Sequence, residues 1–291
     1  MREVVIISGK GGTGKTTLTA SLSALWENKV IADCDVDAAD LHILLNPKIQ
    51  KRTDFYGGVK AVIDNEICTA CGQCREVCKY DAISADFVVD EIACEGCGVC
   101  PYFCPVDAIS LVDRHSGEWY LSETRFGPLV HAKLGVAEEN SGKLVSLIRR
   151  EAKILAEDRG LDTILVDGSP GIGCPVISSV TGASLVVIVT EPTVSGVHDM
   201  ERVVGLANHF QIPVAIVVNK ADLNKDMTDR IKSEAVKQNL LFLGKIPYDP
   251  VVTQAMVQGK TVVEFSKGSV AQQIIEIGNK ILGKLQELEK S

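Results

Sequence analysis

A glycine-rich segment between a short apolar run and a helix-like segment is the most restrictive feature of this sequence. The apolar run covers residues 4–7, and residues 9–16 read G-K-G-G-T-G-K-T, which fits G-x-x-x-x-G-K-S/T. Glycines let the backbone wrap closely around a phosphate, and a helix N-terminus adds partial positive charge there. The pattern predicts a strand, a phosphate-binding loop and a helix, with Lys15 on the β- and γ-phosphates and Thr16 on Mg²⁺.

Short apolar runs and helix-length segments alternate along much of the chain. Further runs lie at residues 30–32, 164–166, 185–189, 214–218 and 240–243, and helix-length segments lie at 16–27, 142–158, 198–209 and 225–239. A helix start is expected within residues 138–143. Continuous rather than alternating apolarity is typical of parallel strands buried on both faces. The chain is therefore expected to form an α/β fold with a doubly wound, mostly parallel sheet.

The alternation breaks between about residues 46 and 128, where a cysteine-rich unit is repeated with an offset of 26 residues. Both copies end in Asp-Ala-Ile-Ser. A small domain inserted into a loop of a larger one explains this break most economically. We expect the larger domain at 1–57 and 116–291, and a small α+β domain, like a bacterial ferredoxin, at 58–115.

Eight of the ten cysteines form two runs of C-x₂-C-x₂-C-x₃-C. This is the spacing of bacterial two-cluster ferredoxins, in which the fourth cysteine of each run ligates the other cluster. The spacing predicts two [4Fe–4S] clusters, with Lys79 in place of the usual proline after the first run. Zinc is the less favoured alternative, and a purely structural role for the clusters stays open. The predicted ligand sets are Cys68, Cys71, Cys74 and Cys104 for one cluster, and Cys94, Cys97, Cys100 and Cys78 for the other.

Lys10, inside the phosphate loop, carries a family resemblance. A lysine at this position resembles the signature lysine of the MinD/ParA/Mrp/nitrogenase-iron-protein superfamily of P-loop ATPases. The resemblance implies an ATP-dependent sandwich dimer, either of two identical chains or with a paralogue, in which Lys10 reaches the nucleotide of the partner. A cation there would stabilise charge on the transferred phosphoryl group, as an arginine finger does.

The same resemblance assigns further nucleotide-site residues. Asp35 would orient or activate the attacking water, whereas Asp33 and Asp37 are left open between Mg²⁺-shell and structural roles, including a helix cap for Asp37. Asp167 ends an apolar strand and would bind Mg²⁺ together with Thr16. Residues 219–222 also match the N-K-x-D guanine motif of GTPases, but the loop favours ATP. The predicted catalytic residues are Lys10, Lys15 and Asp35, and the predicted ATP-binding residues are Gly11, Gly12, Thr13, Gly14, Lys15, Thr16, Thr17, Asn219 and Pro247.

Two cysteines stand outside the runs. Cys174 lies seven residues after Asp167, a spacing similar to that of a cluster ligand in the nitrogenase iron protein. No second cysteine stands in an evident place, so Cys174 is expected to be a small buried residue and a subunit-bridging cluster is the minor alternative. Cys34 is expected to be buried as well. Residues 190–196 are either close to the dimer interface or a structural strand–helix loop.

Charge and hydropathy exclude some partners and compartments. The net charge of −8 disfavours nucleic-acid binding, and no apolar run approaches the roughly 20 residues that a bilayer needs. We therefore expect a cytoplasmic protein. Apolar residues spaced three or four apart near the C-terminus predict an amphipathic helix, and its mixed charges favour packing on the domain over membrane binding.

Three functions fit these patterns. The leading hypothesis is an ATPase whose dimer cycle is coupled to electron transfer through two [4Fe–4S] clusters toward an unidentified redox partner. The second is an Mrp-like carrier that delivers an iron–sulfur or metal cofactor to an apo-protein. The third is a redox-sensing spatial organiser of the MinD/ParA kind.

Overall fold

The computed structural model describes residues 1–135 and 142–290. Within this part of the chain nine strands form one sheet, in the order β3-β4-β5-β2-β6-β1-β7-β8-β9. Each neighbouring pair from β5 to β9 along that order is parallel. The strands are β1 (Arg2–Ile7), β2 (Lys29–Asp33), β3 (Lys48–Ile63), β4 (Ile109–Thr124), β5 (Gly127–Leu134), β6 (Thr163–Asp167), β7 (Leu185–Thr190), β8 (Val214–Asn219) and β9 (Leu241–Ile246).

Helices connect the parallel strands, as the alternation predicts. The helices are α1 (Lys15–Leu25), α2 (Leu41–Leu45), α3 (Gln73–Glu76), α4 (Val99–Tyr102), α5 (Gly142–Arg159), α6 (Cys174–Val180), α7 (Val194–His209), α8 (Lys225–Lys237), α9 (Val251–Val257), α10 (Val262–Phe265) and α11 (Ser269–Leu288). The four predicted helix-length segments correspond to α1, α5, α7 and α8. The predicted helix start at 138–143 falls largely on residues 136–141, outside the described part of the chain.

The central strands are buried on both faces. In β1, Val4 and Ile6 belong to a core cluster with Leu18 and Leu22 of α1, whereas the alternate residues Val5 and Ile7 are equally inaccessible. Such a strand can be apolar at every position because helices cover both of its sides. The doubly wound, mostly parallel sheet is thus confirmed.

The amphipathic C-terminal helix packs on the sheet. The apolar face of α11 joins the same core cluster, and Lys280 donates to the carbonyl of Leu243 at 2.7 Å. Gly278 lies so close to α1 that an added Cβ would be 3.0 Å from Leu22. The predicted packing of this helix against its domain is therefore confirmed. Among the described helices, none is long and apolar enough to span a membrane.

Three strands of the sheet, β3, β4 and β5, were not predicted from the sequence. β3 and β4 are polar along much of their length, and β5 contains Pro128 and His131 between its apolar residues. Neither pattern resembles the continuous apolar runs of the central strands. β5 nevertheless pairs with β2, through Ile31 and Leu129, and so belongs to the parallel core.

The described chain divides into two compact units. One comprises residues 1–53, 119–133 and 142–290, and the other comprises residues 54–118 with 134–135. The second unit contains both cysteine runs. It has a small apolar core of its own around Ala61, Ala82, Ile83 and Ile109.

The cysteine-rich unit repeats its backbone with the 26-residue offset of the sequence. Left-handed φ angles recur at matched positions, at 55° for Ala70 and 61° for Gly96. Reciprocal hydrogen bonds link the halves, from Asp64 N–H to the Ala108 carbonyl at 2.8 Å and from Asp90 N–H to the Ala82 carbonyl at 2.7 Å. The two halves are therefore related by an approximate twofold exchange.

Candidate functional site

The loop between β1 and α1 needs glycine for its path. Gly12 and Gly14 have left-handed φ angles of 78° and 93°, which only glycine adopts without strain. A Cβ on Gly14 would also lie 2.3 Å from the side-chain nitrogen of Asn219. By contrast, a Cβ on Gly11 would have no heavy atom within 4 Å. The loop thus stays open where Gly11 lies and is tightly packed against the end of β8.

Lys15 is the centre of a buried charge cluster. Its side chain is 7% exposed, and its Nζ forms an ion pair with Asp35 and lies 3.8 Å from Oδ1 of Asp167. It also donates to Thr16 Oγ1 at 3.3 Å. β2 and β6 place Asp33 and Asp167 side by side in register at their carboxyl ends. The residues predicted to contact phosphate (Lys15), magnesium (Thr16 and Asp167) and the attacking water (Asp35) therefore lie close together.

Burial and mutual charge shift the pKa values of this cluster. Burial would lower the pKa of Lys15, but Asp167 and Asp35 outweigh it and leave the pKa raised. Burial raises the pKa of Asp35 and of Asp167, with Lys15 opposing in each case. Burial and then the charge of Asp167 raise the pKa of Asp33 well above its usual range. Three carboxyl groups thus share one ammonium group.

This cluster fits a divalent cation. Within the described chain, one buried oxygen of each carboxyl group lacks a hydrogen-bond partner: Oδ2 of Asp33, Oδ1 of Asp35 and Oδ2 of Asp167. Buried polar atoms are normally paired, so such unpaired oxygens suit a hard cation. The three carboxyl groups also outnumber the single ammonium group of Lys15, which favours a bound cation as well. Thr16 adds a hydroxyl that lines the adjoining cavity.

That cavity measures about 360 Å³ and brings together most of the predicted ATP-binding residues. Gly11, Gly12, Gly14, Lys15, Thr16, Thr17, Asp35 and Asn219 all line it. Thr13 is buried beneath the loop, at 2% exposure. The apolar wall of the cavity was not predicted from the sequence; it is formed by Leu18, Ile246, Val252, Met256, Val270 and Ile274. Apolar spacing in α9 and α11 marks a buried face, but does not say that the face borders a ligand cavity.

Asn219 ties the end of β8 to the phosphate loop. Its Nδ2 donates to the Thr13 carbonyl at 2.8 Å, and its Oδ1 accepts from Lys220 N–H at 3.0 Å. Asp222 accepts from Tyr248 N–H at 2.6 Å. Pro247 lines a separate cavity beside Asp222 rather than the one that Asn219 lines. The structure therefore does not bring the two predicted base-reading residues into one cavity.

Lys10 is held within its own chain. Its Nζ lies 3.2 Å from Oε2 of Glu191 and 3.4 Å from Oγ of Ser195. Lys220 contacts the other oxygen of Glu191 at 2.5 Å. Partial burial opposes ionisation of Glu191, but hydrogen bonds from Lys220 and Lys10 outweigh it and lower its pKa. Glu191 therefore positions Lys10, a role that was not predicted from the sequence.

The segments around the site have defined structural partners. Ser169, two residues after Asp167, donates to the Cys34 carbonyl at 2.7 Å. Thr193 caps α7 by accepting from Gly196 N–H at 2.9 Å, so residues 190–196 include a structural strand–helix loop. Asp37 is exposed, and the N-cap residue of α2 is Asp40. The proposed helix cap at Asp37 is therefore wrong.

Two cavities lie among the cysteines of the second unit. The residues that line one of them include Cys68, Cys71, Cys74 and Cys104, and the residues that line the other include Cys78, Cys94, Cys97 and Cys100. In each cavity three cysteines come from one run and the fourth comes from the other run. The cysteines are free thiols rather than disulfides.

Backbone N–H groups point at several of these sulfurs. Ala70 donates to Cys68 at 3.4 Å, Ala108 to Cys104 at 3.3 Å and Ala61 to Cys94 at 3.5 Å. Within the described chain, the only group of three His, Cys, Asp or Glu ligand atoms mutually within 4.8 Å is Asp54, His115 and Glu118. No three cysteine sulfurs of the described chain therefore lie mutually within 4.8 Å, whereas thiolates at 2.3 Å from a tetrahedral zinc ion lie about 3.8 Å apart.

The two cysteines outside the runs differ in exposure. Cys34 is fully buried, as expected, and burial raises its pKa well above the usual range. Cys174 is exposed at the first residue of α6, so the expectation that it is buried is wrong. The helix begins there, after Gly173, and leaves its first side chain at the surface.

The fold and the loop together define a P-loop nucleotide-binding protein with a mostly parallel sheet. The family described as the CobQ/CobB/MinD/ParA nucleotide binding domain matches residues 4–262. The chain belongs to this family, and its fold is that of MinD.

Individual relatives extend over different shares of the chain. An uncharacterized protein of Methanocaldococcus jannaschii is 35% identical over 283 residues, 96% of each chain. An iron-sulfur cluster carrier protein of Pyrococcus abyssi is 30% identical over 141 residues, 44% of this chain and 48% of its own. The structure of septum site-determining protein MinD from Pyrococcus horikoshii, complexed with Mg-ADP, matches with a TM-score of 0.60 at 19% identity, covering 96% of this chain and 95% of that one.

Proposed function

We propose that the protein binds and hydrolyses ATP and couples this cycle to electron transfer through two [4Fe–4S] clusters. The observation that carries the iron–sulfur half is the exchange of one cysteine between the two cysteine cavities. The nucleotide half is supported by the open loop, the buried Lys15 and the three carboxyl groups beside it.

The residues of the nucleotide site would act mainly by positioning the triphosphate and by stabilising its negative charge. Gly11, Gly12 and Gly14 leave backbone N–H groups free to surround a triphosphate, and Lys15 would exchange its contact with Asp35 for the β- and γ-phosphates. Thr16 and Asp167 would hold Mg²⁺, which supplies positive charge against the phosphate oxygens. Asp35, once released by Lys15, would orient the attacking water.

Dimerisation would complete this site. Lys10 is a third exposed and held by Glu191 and Ser195, so its side chain is not among those that line the nucleotide cavity. We propose that it leaves these partners to reach the nucleotide of a second chain. Asn219 would contribute to base recognition while it holds the loop, and Pro247 would join it only if the segment after β9 moves.

The cysteine-rich unit would hold the clusters. We propose that residues 58–115 are a ferredoxin-like domain inserted into a nucleotide-binding domain at 1–57 and 116–291. Cys68, Cys71, Cys74 and Cys104 would bind one cluster, and Cys94, Cys97, Cys100 and Cys78 the other. The exchange of one cysteine between the two cavities supports cubanes over single zinc ions, because the fourth cysteine of each run ligates the other cluster in two-cluster ferredoxins. The clusters would supply one-electron redox chemistry.

Two cysteine variants test the coupling. In anaerobically purified protein, Cys97→Ser removes an exposed predicted ligand, whereas Cys174→Ser removes an exposed cysteine outside the runs. The proposal predicts that Cys97→Ser lowers iron content and changes the ATP turnover rate under reducing conditions, while Cys174→Ser matches wild type. ATP turnover that is identical in all three proteins, reduced or oxidised, would exclude coupling.

A second candidate function is delivery of a cluster to an apo-protein. The partial likeness to an iron-sulfur cluster carrier favours it, as does the exposure of Cys71 and Cys97. Incubation with an apo-ferredoxin separates the two functions. A carrier would transfer iron and sulfide within minutes in an ATP-dependent manner, whereas a redox protein would retain both clusters in the presence of a chelator.

A further inference from the structure

Three potential metal ligands meet on the surface of the cysteine-rich unit, apart from its cysteines. Asp54 of β3 and His115 and Glu118 of β4 each present one ligand atom, and these atoms lie within 4.8 Å of one another. Nε2 of His115 is 3.3 Å from Oδ1 of Asp54. Two ligands about 2.0 Å from a tetrahedral zinc ion are themselves about 3.3 Å apart, so this pair already has the spacing of a metal-binding edge.

The backbone of β4 departs from regular strand geometry to bring these groups together. Side chains alternate between the faces of a strand, so residues 115 and 118 should point to opposite faces. Between them lies Gly117 with a φ of 152°, outside the extended conformation that other residues adopt in strands. Such a departure from the extended backbone disturbs the alternation of side chains between the two faces. It allows His115 and Glu118 to converge with Asp54.

The surroundings of His115 suit a ligand more than a buried structural histidine. The ring of Tyr56 packs edge-on against its imidazole, with centroids 5.6 Å apart, which restricts the orientation of the ring. The side chains of His115 and Asp54 are 50% and 57% exposed, so water could complete a coordination shell.

We infer that Asp54, His115 and Glu118 form a binding site for a divalent first-row transition metal ion, with open coordination positions. Imidazole favours zinc, iron and copper over magnesium and calcium, and carboxylates tolerate the harder of these ions. Zn²⁺ therefore serves as the probe. The site uses only nitrogen and oxygen ligands, which distinguishes it from any metal held by the cysteines. It is independent of the proposed coupling between nucleotide and clusters.

Metal counting and the zinc ligand shell test this inference together. Wild type, His115→Ala, Glu118→Gln and the control His198→Ala are dialysed anaerobically against Zn²⁺ without nucleotide, and iron and zinc are counted by mass spectrometry. His198 is a suitable control because it is another exposed histidine beside a carboxylate, 3.7 Å from Asp199. Zinc K-edge absorption then separates ligands at about 2.0–2.2 Å, which are nitrogen or oxygen, from sulfur at about 2.3 Å.

We expect wild type and His198→Ala to bind one zinc ion more than His115→Ala, and Glu118→Gln to bind zinc at least tenfold more weakly than wild type. The additional zinc should have no sulfur ligand. Equal zinc uptake by wild type and His115→Ala would show that Asp54 and His115 form only an ion pair. A purely sulfur-ligated zinc would equally overturn the inference. Absence of iron would count against the proposed clusters alone, because the ligand shell still identifies the zinc site.

Discussion

Gly96, between two predicted ligands of one cluster, gives the sharpest test of the cysteine-rich unit. A Cβ added there would lie 2.1 Å from the carbonyl oxygen of Val59 in β3, and φ is 61°. The matched residue in the other half of the repeat, Ala70, has nearly the same φ, 55°. A side chain is thus compatible with this backbone conformation, and the contact with β3 is what requires glycine at position 96.

Gly98 provides the matched control. Its φ of 78° is also left-handed, but an added Cβ would meet only a side-chain carbon of Leu111 at 3.7 Å. Gly98→Ala should therefore cost only the left-handed strain, about 1–2 kcal/mol. Gly96→Ala adds a collision with backbone that must move by about 1 Å, and overpacking of this kind costs a further 1–3 kcal/mol. The expected total for Gly96→Ala is about 2–5 kcal/mol.

Both variants can be compared with wild type by the rate at which a chelator removes iron from anaerobically reconstituted protein and by denaturant unfolding. Iron loss should be at least about fivefold faster in Gly96→Ala than in Gly98→Ala, which corresponds to the lower bound of about 1 kcal/mol for the added collision. Gly98→Ala should lose only the stability that left-handed strain costs, about 1–2 kcal/mol. Equal effects of the two substitutions would show that the contact with Val59 adds no cost, because strain alone would then explain both variants.

Three further predictions concern the nucleotide-binding unit. Asp35→Asn should retain Mg-ATP binding within a few-fold but lose about 10²–10⁴-fold in turnover, measured by phosphate release; unchanged turnover would exclude its role on water. Glu191→Gln should free Lys10 and lower the ATP concentration needed for dimerisation up to about fivefold in sedimentation experiments, since such pairs contribute at most about 1 kcal/mol; weaker dimerisation would contradict this. Burial, and to a lesser degree the charge of His42, lowers the pKa of His131 to about 4. Acidification from pH 7.5 to 5 should therefore lower the unfolding free energy of wild type by about 2 kcal/mol more than that of His131→Gln. The loss should begin below pH 6.5 and end near pH 4, because only the unfolded chain readily takes up the proton; equal pH profiles would argue against it.

Local patterns predicted the central fold because each of them has a local cause. Residues 4–7 are apolar at every position because helices cover both faces of β1, and the glycines that follow are required by the loop path itself. The cysteine spacing likewise predicts which four side chains share each cavity. These features can be predicted because each depends on residue types that lie close together in the sequence.

Tertiary contacts determined the features that the sequence did not predict. His131 is buried in β5 because its ring stacks on Tyr120 at 5.0 Å and pairs with Ser122 at 2.9 Å, contacts made with the neighbouring strand. Glu191 meets Lys10 across 181 positions of sequence, and no local pattern relates them. The same holds for Asp54 and His115, which adjacent strands bring together.

A redox titration followed by electron paramagnetic resonance can show whether this chain holds two clusters and whether nucleotide binding alters them. Protein purified without oxygen is titrated with dithionite, with and without a non-hydrolysable ATP analogue and Mg²⁺, and its iron is counted. We expect about eight iron atoms per chain, signals from two interacting reduced [4Fe–4S] clusters, and a midpoint potential that shifts when the nucleotide is present. Protein without iron would exclude the clusters, and titration curves that are identical with and without nucleotide would exclude the coupling.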